Sequence, residues 1–367
     1  MTDDSAPPVY EAIEGLGDDE DAIWGDYPID TVLIRNENRT VHDVLRRISQ
    51  GSFVMDPDFQ RDFIWPEDKQ SKLIESVMMR IPLPVFYLAE DEEGRMIVVD
   101  GLQRLSTFQR FVDNKLRLKL PTQRELHGRR FEDLSPKLKN RVEDCNLILY
   151  IIDAKVPERV RLDIFERVNS GIPLTRQQMR NSLFMGPATA FLKREASSTL
   201  FLEATGGSLR SSTMRDREFV NRFCAFDLLT LDDYKGDMEE FLALALKKMN
   251  TFAPAELDDL ARAFRLGLTN NLAVFGKHAF RKHTEGQSGR SVLNASLWDV
   301  MSTGLSGLEE QRVSAHASNL RAALYQLMED EAFTRSITYA TNGVKQVRHR
   351  FGAVRGMLKE VFGANSD

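Results

Sequence analysis

The chain has 367 residues, 42% hydrophobic and 28% charged, a composition that can bury a core and excludes collagen-like, low-complexity and wholly disordered classes. At roughly 100–200 residues per domain it should hold about two domains. The formal charge of −6 is uneven, because residues 1–30 hold ten acids and no Lys or Arg, leaving 49 bases against the other 45 of 55 acids; that body is compatible with polyanions. Apolar runs such as Leu147–Ile152 fall far short of the ~20 residues that span a bilayer, and no basic-then-apolar signal opens the chain, so a cytoplasmic protein with no membrane partner is expected. Cys145 and Cys224 are far apart and read as buried thiols, with neither a disulfide nor a thiolate zinc site.

Residues 1–30, acidic and broken by Pro7, Pro8, Gly15 and Gly17, read as a flexible leader. Thr40 followed by Val41, Val44, Leu45 and Ile48 predicts a capped helix ended by Gly51, and Pro66 with Leu73, Ile74, Val77 and Met78 predicts a second that Pro82 stops. Val85–Ala89 and Arg95–Asp100 read as a hairpin around Asp91–Gly94, after which Leu102, Leu105, Phe108, Phe111 and Val112 switch to a helical period. Asn146–Asp153 predicts a third strand, Pro157–Val168 a helix, and Thr175–Gln178 a capping box. Beyond it the pattern is almost purely helical, over roughly 176–198, 215–230, 237–250, 255–282, 307–328 and 344–361. The reading is an α+β domain over 31–175 and an all-α domain over 176–367.

Three stretches carry chemistry. In Asp100-Gly101-Leu102-Gln103-Arg104 a strand turns into a helix through a glycine; amides at a helix start carry partial positive charge, and a guanidinium adds a fork for phosphate oxygens. Arg104 is expected to face the phosphate and contribute little to the core. Pro57-Asp58-Phe59-Gln60-Arg61, with Trp65 downstream, sets an amide and a guanidinium among aromatics, and Phe165–Gly171 stops a helix at Asn169-Ser170-Gly171. Taken singly, a capped helix, a core aromatic pair and an ordinary helix end explain these stretches equally well or better. Residues 332–359 hold Arg335, Lys345, Arg348, Arg350, Arg355 and Lys359 with no acid, which suits either a DNA backbone or a solvated helix face. The acidic leader could fold onto that stretch as a DNA mimic.

Taken in order, the FQR with its tryptophan, a helix ending Ile81-Pro82-Leu83-Pro84, the strand-Asp-Gly-x-Gln-Arg-helix turn, Phe-x-Arg-x-Asn-x-Gly and a capped Thr-x-x-Gln helix resemble the N-terminal domain of GmrSD-type modification-dependent restriction enzymes, over about residues 35–185. The resemblance implies a ParB/sulfiredoxin-like fold. Its signature is Asp-Gly-Gln-Gln-Arg, and Leu102 stands where the first Gln would be. It further implies a nucleotide or phosphate pocket formed by Asp100, Gly101, Gln103 and Arg104 and completed by Gln60, Arg61 and Asn169, with catalysis resting on Asp100, Gln103 and Arg104. Mg²⁺ and a nucleoside triphosphate are the implied cofactors, with Asp100 orienting the metal or a metal-bound water. Outside this span the resemblance is loose, chiefly Thr341-Asn342 and Arg348.

Cleavage in such systems commonly comes from a separate His-Asn-His nuclease domain, in the same chain or a partner. None of His42, His127, His278, His283, His316 and His349 forms such a cluster, and His278 and His283, five apart on an expected helix, should point to different faces. The leading reading is a nucleotide-binding, NTP-hydrolysing sensor or switch subunit in DNA restriction or phage defence, with the nuclease supplied by a partner. The alternatives are a non-hydrolysing DNA-binding module, holding DNA through Lys345, Arg348, Arg350 and Arg355, and a self-sufficient metal-dependent nuclease. The oligomeric state stays open, a homo-oligomer included.

Overall fold

The computed structural model describes residues 13–16, 34–55, 65–91, 93–156, 160–161, 164–165 and 175–363. The chain divides into two compact units, Asp26–Leu183 and Phe184–Asp367, the second joined by the N-terminal stretch Met1–Gly25. The predicted helix at 157–168 and the segment holding Phe59, Gln60 and Arg61 lie wholly or mostly outside the described residues.

After the two-residue strand β1 (Ile13–Glu14), which belongs to the helical unit, the α+β unit runs β2 (Ile34–Thr40), α1 (Val41–Ser49), β3 (Phe53–Val54), α2 (Glu67–Met78), β4 (Phe86–Glu90), β5 (Met96–Asp100), α3 (Leu102–Val112), α4 (Pro136–Glu143), β6 (Asn146–Ile152) and α5 (Arg176–Leu183). Its sheet has the order β2-β6-β4-β5-β3. β6 is antiparallel to β2 and parallel to β4, and β5 is antiparallel to β4 and parallel to β3. Period-two alternation puts Phe86, Leu88, Val98, Leu147, Leu149 and Ile151 on one face, packed with Val44, Ile74, Phe108 and Phe111 of the helices in a single core. Each fully buried side chain of this size contributes roughly 1.5–3 kcal/mol.

Thr40 caps α1 as expected, its Oγ1 accepting the Asp43 amide at 3.2 Å. The Asp43 carboxylate in turn takes Arg39 at 2.8 Å, Arg46 at 2.6 Å and Arg47 at 3.2 Å. These bonds, Arg39 first, hold its carboxyl well below the usual carboxylate range. A depressed folded-state pKa gives stability that is present above the unfolded value of ~4 and lost as pH falls below it. The cluster is surface-situated and worth about 1 kcal/mol. Protection of α1 amides, measured as exchange relative to the intrinsic rate at each pH, should therefore fall on acidification below ~pH 4, and Asp43→Asn should remove most of that pH dependence.

The helical unit comprises α6 (Pro187–Ala196), α7 (Thr199–Thr205), α8 (Arg215–Leu228), α9 (Met238–Asn250), α10 (Pro254–Phe275), β7 (Leu293–Asn294), α11 (Ala295–Gly304), α12 (Glu310–Ala315), α13 (Ala317–Glu329), α14 (Glu331–Ser336) and α15 (Val344–Phe362). Among the described residues no helix is long and apolar enough to cross a membrane. Trp298 is its centre, fully buried against Phe201, Phe219, Phe264 and Phe280, with Nε1 donating to the Phe219 carbonyl at 2.8 Å.

Three expected helices end differently. The one over 176–198 is two, because Asn250 accepts the Ala188 amide and donates to the Phe184 carbonyl, fixing the chain from Phe184 onward in the helical unit while α5 packs on β5. The division between units therefore follows Leu183 and not residue 175. The one over 255–282 stops at Phe275, where Gly276 takes a left-handed φ of +52°. The one over 307–328 breaks at His316, whose Nδ1 meets the Arg312 carbonyl at 2.9 Å.

Part of the expected flexible leader is ordered. β1 pairs in parallel with β7, Thr341 Oγ1 donates to the Gly15 carbonyl at 2.9 Å, Asn342 Nδ2 to that of Leu16 at 3.1 Å, and Glu14 meets Lys282. Gly15 has φ +77°, and a Cβ there would come within 3.1 Å of the Ile337 carbonyl, a position that favours glycine. Thr341 is held from the other side by Arg350, which shares the Asp299 carboxylate with Arg222. All three charges are buried. Burial lowers the proton affinity of Arg222, but bidentate Asp299 more than offsets it; for Arg350, burial prevails over the attraction of Asp299, with the charge of Arg222 adding to it. Asp299→Ala should therefore strand two buried cations and cost about 3–5 kcal/mol, read as a lowered urea midpoint of the helical unit; a change under ~1 kcal/mol, the range of an exposed pair, would contradict this role.

Candidate functional site

The strand-to-helix turn forms as the sequence suggests. Gly101 takes φ +102°, ψ 4° as the N-cap of α3, and no side chain caps the helix. A Cβ at this position would run into the Phe86 ring, so both conformation and space require glycine. The first amides of α3 lie next to Asp100, whose side chain is 33% exposed, which gives the turn an uncapped positive dipole end beside a carboxylate.

Arg104 does not face outward. It is buried, with one terminal nitrogen donating to the Pro84 carbonyl and the other to Val85 O at 3.0 Å and Asp100 Oδ2 at 2.8 Å, and its guanidinium lies 4.2 Å from the Phe86 ring centroid. Burial pulls it below the ordinary guanidinium value, against the pull of Asp100. Position 104 lies one helical turn beyond Asp100 and so on the core-facing side. The expectation of a phosphate fork that contributes little to the core is thus overturned.

Gln103 is likewise engaged, its Oε1 accepting the Trp65 amide at 2.9 Å. Gln70 donates to the Trp65 carbonyl and accepts from Arg110 of α3 at 3.0 Å. Trp65 is pinned between α2 and α3, and Lys69 stands 4.3 Å from its ring. Leu102 packs against the core. Gln60, Arg61 and Asn169 lie outside the described residues.

Two features escaped the sequence reading. Tyr87 is the strand partner of both Asp100 and Tyr150, and the Tyr87 and Tyr150 rings stack at 5.6 Å with 27° between planes, half-buried. The signal was the alternation in Phe86–Glu90, which puts Tyr87 on the face opposite Phe86 and Leu88. The second is α5. Its capping box is reciprocal, Thr175 Oγ1 accepting the Gln178 amide at 3.2 Å and Gln178 Oε1 the Thr175 amide at 2.7 Å. Behind it Gln177 accepts twice from buried Arg180 and donates to Asn181 at 2.9 Å. Such a buried polar network is costly unless its groups are satisfied, and where satisfied it rigidifies the element that carries it.

The expected DNA-contacting set divides. Lys345 and Arg355 are exposed on α15, and Arg348 is exposed and pairs with Asp232 at 2.8 Å, but Arg350 is buried on Asp299 and leaves the set. His278 and His283 do not diverge as on a helix; after the Gly276 turn their rings stack at 4.9 Å. Among the described residues no group of three or more His, Cys, Asp or Glu could hold a metal. Cys224 is buried as expected, whereas Cys145 is only half-buried.

Residues 41–185 match the family described as GmrSD restriction endonuclease, N-terminal domain. That stretch, which holds β3 to β6, the turn and capped α5, is similar to this family's domain. No curated protein and no solved structure matches the chain.

Arg104→Ala would leave two carbonyls and a carboxylate without their donor. It should destabilise the α+β unit by about 2–4 kcal/mol by chemical denaturation, with Arg104→Lys recovering part of it. An unchanged midpoint would return Arg104 to a surface role.

Proposed function

We propose that the α+β unit is a ParB/sulfiredoxin-like nucleotide-phosphate sensor acting in DNA restriction or phage defence, with strand cleavage supplied by a partner nuclease subunit. The observation that carries this reading is the turn itself: a helix N-terminus without a side-chain cap, on a glycine no other residue could replace, within the stretch that matches a restriction-endonuclease domain. The amides of Leu102, Gln103 and Arg104 take a phosphate. The stacked Tyr87–Tyr150 pair, joined to Asp100 through β4, offers a base a stacking surface. Arg104 acts indirectly, by setting the positions of Asp100 and of the chain leading into β4. Gln103 holds Trp65, and Gln60 and Arg61 precede that residue by five and four positions.

The donor set fits a magnesium ion that arrives with a triphosphate better than a resident one, since Mg²⁺ is usually held by one or two carboxylates plus phosphate oxygens. Asp100 is the residue that would hold it. When bound, the ion would neutralise phosphate charge; the chain's own part is to keep Asp100 oriented through Arg104.

A second reading, a DNA-binding module without hydrolysis, is favoured by Leu102, which lies against the core and adds no polar group to the turn. Exposed Lys345 and Arg355 would then supply phosphate contacts. A thermal-shift panel of ATP, GTP, CTP and UTP with Mg²⁺ should find at least one nucleotide that raises the melting temperature. Tyr87→Ala should weaken that nucleotide about tenfold, the scale of one lost base stack. Phosphate release during incubation separates the two readings, and no shift with any nucleotide would sink the sensor.

A further inference from the structure

A cavity of about 460 Å³ opens between the end of α2 and one side of α4, and none of its lining residues belongs to the Asp100–Arg104 turn. This is the size of a small-ligand site. Val77 and Leu83 give it an apolar wall, while Arg80, Lys137 and Arg141 bring three cations against the single carboxylate of Asp144. Among the described residues neither Arg80 nor Lys137 meets a carboxylate. Arg141 is fixed through one terminal nitrogen on the Met78 carbonyl at 2.8 Å, and its Nε is buried without a partner.

The backbone at Arg80 is the second observation. α2 closes with the Arg80 amide on the Val77 carbonyl and the Ile81 amide on the Ser76 carbonyl, both 2.9 Å, the paired bonds of a Schellman ending. Arg80 occupies its left-handed position at φ +61°, where glycine is free of strain and an arginine is not. The last carbonyls of α2 are already met by these bonds and by Arg141, so the guanidinium is not needed to finish the helix. A strained cation in the place of glycine, at the mouth of a cavity with two more cations, points to a ligand.

We propose that this cavity is a second anion site, taking a phosphate carried on a compact organic body of sugar-phosphate or mononucleotide size, the phosphate on Arg80, Lys137 and Arg141 and the body on Val77 and Leu83. The site is independent of the nucleotide turn. Cys145 lines the same cavity, and the other cysteine, Cys224, is fully buried, so thiol alkylation reports on this cavity with a built-in control.

The test is iodoacetamide labelling of the full chain, read by mass spectrometry at both cysteines, in the presence of inorganic phosphate, ribose 5-phosphate, CMP or AMP, or a 5′-phosphorylated single-stranded oligonucleotide. Ribose 5-phosphate or a mononucleotide should slow Cys145 saturably and leave Cys224 unlabelled throughout. Lys137→Glu should raise the half-saturating concentration about tenfold, the loss of one charge-assisted contact. Arg80→Gly should raise the melting temperature while weakening protection, a combination that a structural role for Arg80 does not give. Tyr87→Ala, which weakens binding at the turn, should leave Cys145 protection unchanged, so the two sites fail separately. Cys145 labelling that no probe slows at millimolar concentration, or equal protection in wild type, Lys137→Glu and Arg80→Gly, overturns the proposal. Protection by the oligonucleotide alone overturns it in favour of a DNA-end site.

Discussion

One buried guanidinium sets the geometry of the α+β unit. Arg104, on the first turn of α3, gathers the Pro84 and Val85 carbonyls at the approach to β4 and the Asp100 carboxylate at the end of β5. A buried cation is tolerated only when its donors are met; here meeting them fixes three segments at once. Gly101 makes room for this by letting the Phe86 ring lie against the turn, under the guanidinium. The exposed face of the turn, amides and about a third of the Asp100 side chain, is therefore presented by a rigid support.

The helical unit repeats the device with opposite emphasis. A single carboxylate, Asp299, serves two buried arginines from α8 and α15, and Arg350 passes the constraint on to the Thr341 carbonyl. Tyr234 lies in the same field, its hydroxyl donating to the Asn342 carbonyl at 2.6 Å and burial pushing its pKa up to about 12. The basic character of residues 332–359, conspicuous in the sequence, is thereby split between structure and surface, and only the surface share is open to a polyanion.

What could be read in advance followed local rules. The Thr40 and Thr175 caps, the strand-glycine-helix turn and the α+β then all-α order are governed by neighbours within a few residues, and they formed where composition and spacing put them. The direction of Arg104 was not legible, because whether a guanidinium turns inward depends on carbonyls twenty residues earlier in the chain. Arg350 was misplaced for the same reason, its partner Asp299 lying 51 residues away. The break after Leu183 came from tertiary bonds to Asn250 that a periodic pattern cannot contain, the break at His316 carries a local side-chain bond to the Arg312 carbonyl that apolar spacing does not report, and Tyr87 was passed over because strand alternation was used to find the core and not the opposite face.

The pairing of β1 with β7 makes the helical unit discontinuous in the chain. Gly15 and Ser296, bonded in the folded unit, are 281 residues apart, with the whole α+β unit between them. On the ribosome the first segment of the unit emerges long before Leu293, Thr341 and Asn342, and closing so long a loop delays folding far more than it lowers final stability. The α+β unit can fold meanwhile, since its own contacts are complete by Leu183. The strand Ile13–Glu14 must wait, unpaired and open to other edges, until Leu293–Asn294 has been made, so the helical unit closes only after the α+β unit inserted in it is complete.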